Sequence, residues 1–180
     1  MIKIRKGTFE TNSSSTHSIA ISKKKVDIPY GAFIEFNIGE YGWEFEEYGF
    51  PNYLYTSLLC CDDVEYLNKL KSILDKWGVR YKFQKPEWWY SSNGVRYLDN
   101  GYVDHSGETF DIMRKIIDDE DLLATALFGD STVYTGNDNS SEQDSMCYCA
   151  NEFIWDWDYN KKINNLNHDS EHYDYFFKGN

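Results

Sequence analysis

Hydrophobic and polar positions along this chain switch between a period of two and a period near 3.6, and each switch marks an element. Ile2, Ile4 and the Thr8-Phe9 step are separated by charged or small residues in strand fashion, and Ser18 to Ser22 (Ser-Ile-Ala-Ile-Ser) repeats the alternation. Between them, the polar run Thr11 to His17, six hydroxyl or amide side chains followed by a histidine, reads as a loop, because such groups bond their own backbone. Residues 32–38 predict a third strand, with Phe33, Glu35 and Asn37 on one face and Ile34, Phe36 and Ile38 on the other. Gly39, Gly42 and Gly49 then punctuate an acidic, aromatic segment.

Helical spacing takes over at Pro51, which suits a first helical turn. Val64, Leu67, Leu70, Ile73, Leu74 and Trp77 recur every three or four residues, Asp62-x-x-Glu65 has the form of a capping box, and Gly78 marks the end. A strand over 79–83 is broken by Pro86, Ser91 to Gly94 signals a turn, and the Asn100-Gly101 step predicts a hairpin between 95–98 and 102–104. Ser106 is placed to cap a helix carrying Phe110, Met113, Ile116 and Ile117. A further helix holds Leu122, Leu123, Ala126 and Leu127, and a last strand covers Ser131 to Thr135. Residues 139–149 read as loop, while Phe153, Ile154, Trp157 and Ile163 suggest a C-terminal helix, with a loose tail from about residue 168. No repeat or long linker interrupts the pattern, so the expectation is a single compact α+β domain over 1–180, mainly antiparallel sheet with two to four helices.

Composition adds two facts. The 180 residues include 15 Tyr, 11 Phe and 6 Trp, enough rings to fill a core and to supply a protein-binding surface as well. Thirty acidic against eighteen basic side chains leave a formal charge of −12, which argues against general nucleic-acid binding. Charge is also segregated: residues 1–25 carry +5, residues 26–63 carry −8, residues 64–100 carry +3 and residues 101–180 carry −12. Converging acids would attract a basic groove, although solvating the surface explains a charge run equally well. No stretch has the roughly 20 apolar residues of a membrane span, and the N-terminus lacks a signal's apolar core, so the expected location is the cytoplasm of a bacterial host.

Four places invite chemistry. Ser13, Ser14, Ser15 and Ser18 beside His17 offer a nucleophile and its base, without the orienting group or elbow motif that would complete a site. Asp104-His105-Ser106 sets a carboxylate beside an imidazole, though adjacent residues point different ways and a capping serine explains one of the three. Thr135-Gly136-Asn137-Asp138-Asn139, with Asp130 upstream, is oxygen-rich but lacks calcium-loop spacing, and a glycine turn accounts for it. Cys60-Cys61 and Cys147-x-Cys149 lack the spacing of a zinc knuckle, so reduced thiols are expected and neither metal nor cofactor is.

The opening Arg5 to Ser18, with Asn12, Ser13, Ser14, Ser15, Thr16, His17 and Ser18 at its centre, resembles the N-terminal signature of a family of small, uncharacterised proteins of bacteriophages and prophage-bearing Firmicute genomes. Asp104-His105-Ser106 and Phe128 to Asn139, including Thr135, Gly136 and Asp138, are similar to later stretches of that family. The resemblance implies a phage origin and brings no activity with it.

Two readings follow. In the first, the chain is a phage accessory protein that binds and inhibits a host protein with a basic, nucleic-acid-binding groove, such as a CRISPR nuclease. Glu40, Glu44, Glu46, Glu47, Asp118, Asp119, Glu120, Asp121, Asp156 and Asp158 would stand in for phosphates. Trp43, Trp88, Trp89, Trp155 and Trp157 would serve as anchors. In the second, it is a small hydrolase using Ser15, His17, Asp104 and His105 in one pocket. Self-association stays open in both, and a phage structural role has less support because fibrous repeats are lacking.

Overall fold

Phe50–Cys60 forms helix α1, and seven consecutive residues from Tyr53 to Leu59 are buried, so this helix is covered on every side. The computed structural model describes residues 15–22, 26–42, 46–104, 106–129, 131–137 and 173–179. Three further helices pack around α1: α2 (Val64–Lys76), α3 (Ser106–Asp118) and α4 (Glu120–Phe128). Pro51 sits in the first turn of α1, as the pattern predicts. Ser106 is the first helical residue of α3 rather than its cap, which moves that boundary by one position.

The junction of α1 and α2 departs from expectation in an informative way. The cap of α2 is Asp63, not Asp62: an Asp63 carboxylate oxygen accepts from the Tyr66 amide at 3.0 Å. Asp62 instead ends α1 at φ 52, with its own amide donating to Leu59 O and the next amide donating to Leu58 O. That is a Schellman ending, whose left-handed residue is ordinarily glycine. The end of α2 follows the usual choice, with Gly78 at φ 67 and the same two bonds to Asp75 O and Leu74 O.

Four strands make an antiparallel sheet: β1 (Ser15–Ser22), β4 (Glu46–Gly49), β9 (Ser131–Asn137) and β10 (Tyr173–Gly179), in the order β10-β1-β9-β4. Three sequence expectations change here. Strand β1 begins at Ser15, so Ser15, Thr16 and His17 belong to the ladder rather than to a loop, and the alternation that buries Ile19 and Ile21 buries His17 as well. Thr135, Gly136 and Asn137 continue β9 opposite His17, Thr16 and Ser15, and do not form a turn. Tyr173–Gly179, expected in a loose tail, pairs with β1.

Two short parallel pairs flank α1: β2 (Phe33–Phe36) with β5 (Arg80–Phe83), and β3 (Glu40–Tyr41) with β8 (Tyr102–Val103). The faces of β2 are as predicted, Ile34 and Phe36 inward. The hairpin predicted at Asn100-Gly101 does not form. The Asn100 side chain accepts from the Glu87 amide at 3.0 Å, and a Cβ on Gly101 would lie 2.6 Å from Gly39 O, so the chain leaves this step to meet β3. The hairpin lies one turn earlier, β6 (Trp88–Tyr90) against β7 (Arg96–Leu98) around the predicted turn.

One hydrophobic cluster joins these parts, from Ile19 and Ile21 through α1 to Leu70, Leu74, Met113, Ile116, Leu123 and Val133. Rings fill much of it: Phe36 stacks on Phe83 at 4.6 Å, and Tyr41 meets Tyr48 and Tyr53 edge-on at 4.5 and 5.0 Å. The fold is mixed α+β, with the antiparallel sheet supplemented by parallel pairs. The strand expected near Ile2 and Ile4 and the C-terminal helix expected near Trp157 lie outside the described residues.

Candidate interaction surface

His17 lies on β1 opposite Thr135, is 0% exposed, and sits 5.7 Å from the Tyr53 ring. Tyr53 in turn packs on Tyr41, whose carbonyl oxygen accepts from the Asp104 amide at 2.8 Å. Burial against Tyr53 makes His17 a core residue. Ser15 pairs with Asn137 in the ladder, whereas Asn12, Ser13, Ser14, His105 and Asp138 lie outside the described residues. Nearby polar groups also serve the fold. Thr56 Oγ1 accepts from the Gly39 amide at 3.1 Å, and burial pushes the Tyr41 phenol up to about 12.

The segregated charges meet in space. Lys69 reaches Asp118 at 2.6 Å, Lys76 reaches Glu120 at 2.8 Å and Lys82 reaches Glu35 at 2.5 Å, while Arg96 pairs with Asp62 and Arg114 with Asp63. Every one of these joins two different sequence segments, and four of the five draw their base from residues 64–100. The Lys69 ammonium holds the Asp118 carboxyl below its ordinary value, and Lys76 does the same for Glu120. Asp119 caps α4, accepting from the Leu122 amide at 3.1 Å. Three of the four acids in 118–121 therefore bind α2 or a helix end. Glu40 is exposed on β3, and Glu46 and Glu47 lie in β4. Trp43, Glu44, Trp155, Asp156, Trp157 and Asp158 lie outside the described residues. Residues 138–172 carry eight acids and two bases, half of the chain's net negative charge.

A different surface draws notice: the β6–β7 hairpin. Among the described residues it pairs with no other strand. Its inner face, Trp88 and Leu98, packs on the core, and the Arg96 guanidinium lies over the Trp88 ring at 4.2 Å while pairing with Asp62. The positive-φ residue that ends α1 thus meets the hairpin through its carboxylate. Its outer face shows Trp89, 41% exposed, stacked on Tyr97, 44% exposed, with centroids 4.5 Å apart. Of the tryptophans expected as anchors, Trp88 is thus a support and Trp89 is presented.

Tyr97, Glu87 and Asp99 were not among the residues singled out by sequence. The signal was present, since residues equidistant from Asn93 face each other across the turn, and extending that symmetry pairs Trp89 with Tyr97 and Glu87 with Asp99. Cys60 and Cys61 are both half-buried, and burial pushes the Cys60 thiol up to about 11. Among the described residues no three His, Cys, Asp or Glu side chains stand together as a metal site, and no helix is long and apolar enough to cross a membrane. No protein-family model, curated protein or solved structure matches the chain.

Proposed function

We propose that this chain is a binding protein, a phage accessory protein that occupies and inhibits a host protein with a basic groove, a nuclease such as a CRISPR effector being the concrete form. The observation that carries the reading is the stacked Trp89–Tyr97 pair, exposed on a hairpin whose other face is fixed to the core. Rigid aromatic side chains held in water lose little freedom on docking, which is the property of interface anchors. The charge of −12 selects a cationic partner and disfavours nucleic acid. The burial of His17 favours binding over a hydrolase centred on that ring.

The test is capture from a bacterial lysate with the full chain as bait, run at low and high salt beside the Trp89→Ala/Tyr97→Ala variant. The expected result is a nucleic-acid enzyme retained by the native chain, released by salt and lost with the variant. Identical captures by both baits would refute the reading.

A further inference from the structure

Among the described residues no strand or helix covers the outer face of the β6–β7 hairpin, and the register fixes what lies on it. Side chains alternate along a strand, so Glu87, Trp89 and Ser91 share one face of β6 and its extension, opposite Asp99, Tyr97 and Val95. The pairing continues beyond the strand ends: the Asp99 amide donates to Glu87 O at 2.8 Å, and the Ser91 amide donates to Val95 O at 2.9 Å. The ribbon therefore presents an acid pair, then a stacked aromatic pair, then a small apolar step toward the turn.

The acid pair is the anomaly. Like charges directly opposite one another destabilise a two-stranded ribbon. Both carboxylates are exposed, and among the described residues neither has a cationic side chain within ion-pair distance. Five other acids among the described residues, Glu35, Asp62, Asp63, Asp118 and Glu120, each meet a base. The Arg96 guanidinium sits on the opposite face over Trp88 and is already held by Asp62.

Resting on the binding reading above, we propose that this face receives an arginine side chain of the partner protein, its guanidinium stacked on the Trp89–Tyr97 pair and hydrogen-bonded to Glu87 and Asp99. Arginine fits better than lysine, because a planar guanidinium can lie on a ring and still offer edge N–H groups to carboxylates. The same two carboxylates repel phosphate, so the face suits a basic protein segment and not a nucleic acid.

The test titrates the full chain with the blocked peptide acetyl-Gly-Arg-Gly-Arg-Gly-amide, read by amide NMR, beside peptides carrying citrulline or lysine in place of arginine. The expected result is saturable shifts confined to amides 87–99 and the Trp89 indole N–H, with citrulline at least about tenfold weaker. Glu87→Gln/Asp99→Asn should lose about tenfold in affinity for the arginine peptide while its thermal midpoint stays level or rises, since like-charge repulsion is relieved. A purely structural role for the pair would lower that midpoint. Equal binding of arginine and citrulline peptides, or unchanged affinity in the double variant, would overturn the arginine assignment. If that happened while a captured partner was still lost with Trp89→Ala/Tyr97→Ala, the binding reading would stand and only its chemistry would fall.

Discussion

Replacing Asp63 by alanine removes two interactions whose sizes can be told apart. One carboxylate oxygen caps α2 through the Tyr66 amide at 3.0 Å, and loss of such a cap costs about 1 kcal/mol. The other oxygen takes the Arg114 guanidinium at 3.1 Å, tying the start of α2 to α3. That side chain of Asp63 is 7% exposed while Arg114 is 42% exposed, so the pair falls between the surface and buried cases and its loss costs about 1–2 kcal/mol. Asp63→Ala should therefore lower unfolding free energy by about 2–3 kcal/mol, or about 1 M in the urea midpoint at a slope of about 2 kcal/mol/M. Asp63→Asn keeps a capping oxygen and should cost about half as much. Asp62→Asn retains a residue that tolerates a positive φ, loses only the exposed Arg96 pair, and should cost under about 1 kcal/mol. Urea denaturation followed by far-UV circular dichroism measures all three. If Asp63→Ala fell within about 0.5 kcal/mol of the native chain, or Asp62→Asn cost more than Asp63→Ala, the assigned cap would be wrong.

Other outcomes follow from single contacts. Gly101→Ala sets a Cβ against Gly39 O and should cost about 1–3 kcal/mol by displacing β8 from β3, seen as a lowered thermal midpoint. The Lys69–Asp118 pair depresses the acid below 3.8 and raises the base above 10.5. Its stabilisation is therefore lost at low pH as Asp118 protonates through its depressed folded value, and at high pH as Lys69 deprotonates through its raised one. The gap in urea midpoint between the native chain and Asp118→Asn should then be constant from about pH 5 to 9 and close toward pH 2. A gap persisting at that acidity would contradict the pairing. With its thiol pushed up to about 11, Cys60 should react with iodoacetamide at pH 8 about a hundredfold more slowly than a free thiol, as read by peptide mass mapping of the native chain.

Much of the helical fold is legible along the chain, because helix caps and apolar stripes are local. Pro51, the α2 stripe ending at Gly78, and the α4 residues Leu122 to Leu127 are all read correctly. The strands are read less well, since pairing joins residues far apart. Nothing near Tyr102 says that its partner is Glu40, and nothing near Tyr173 says that it will lie beside β1. His17 illustrates the same limit: a serine-rich neighbourhood looks like loop, and only a ladder with Thr135 on one side and Gly179 on the other buries the ring. Charge along the chain likewise does not name its partners. Runs of one sign suggest a surface field, yet the runs at 118–121 and 62–63 find their counter-ions on distant elements. The hairpin was half legible, its turn recognised and its facing pairs computable from that turn, but which tryptophan faces water is settled only by the packing of Trp88 on the core.

The central claim is that a partner docks on the outer face of β6–β7. Hydrogen–deuterium exchange of the full chain, alone and bound to the protein it captures, tests it most directly. The account predicts slowed exchange across residues 87–99 with little change at 118–121. Protection elsewhere, with the hairpin exchanging as in the free chain, would contradict it.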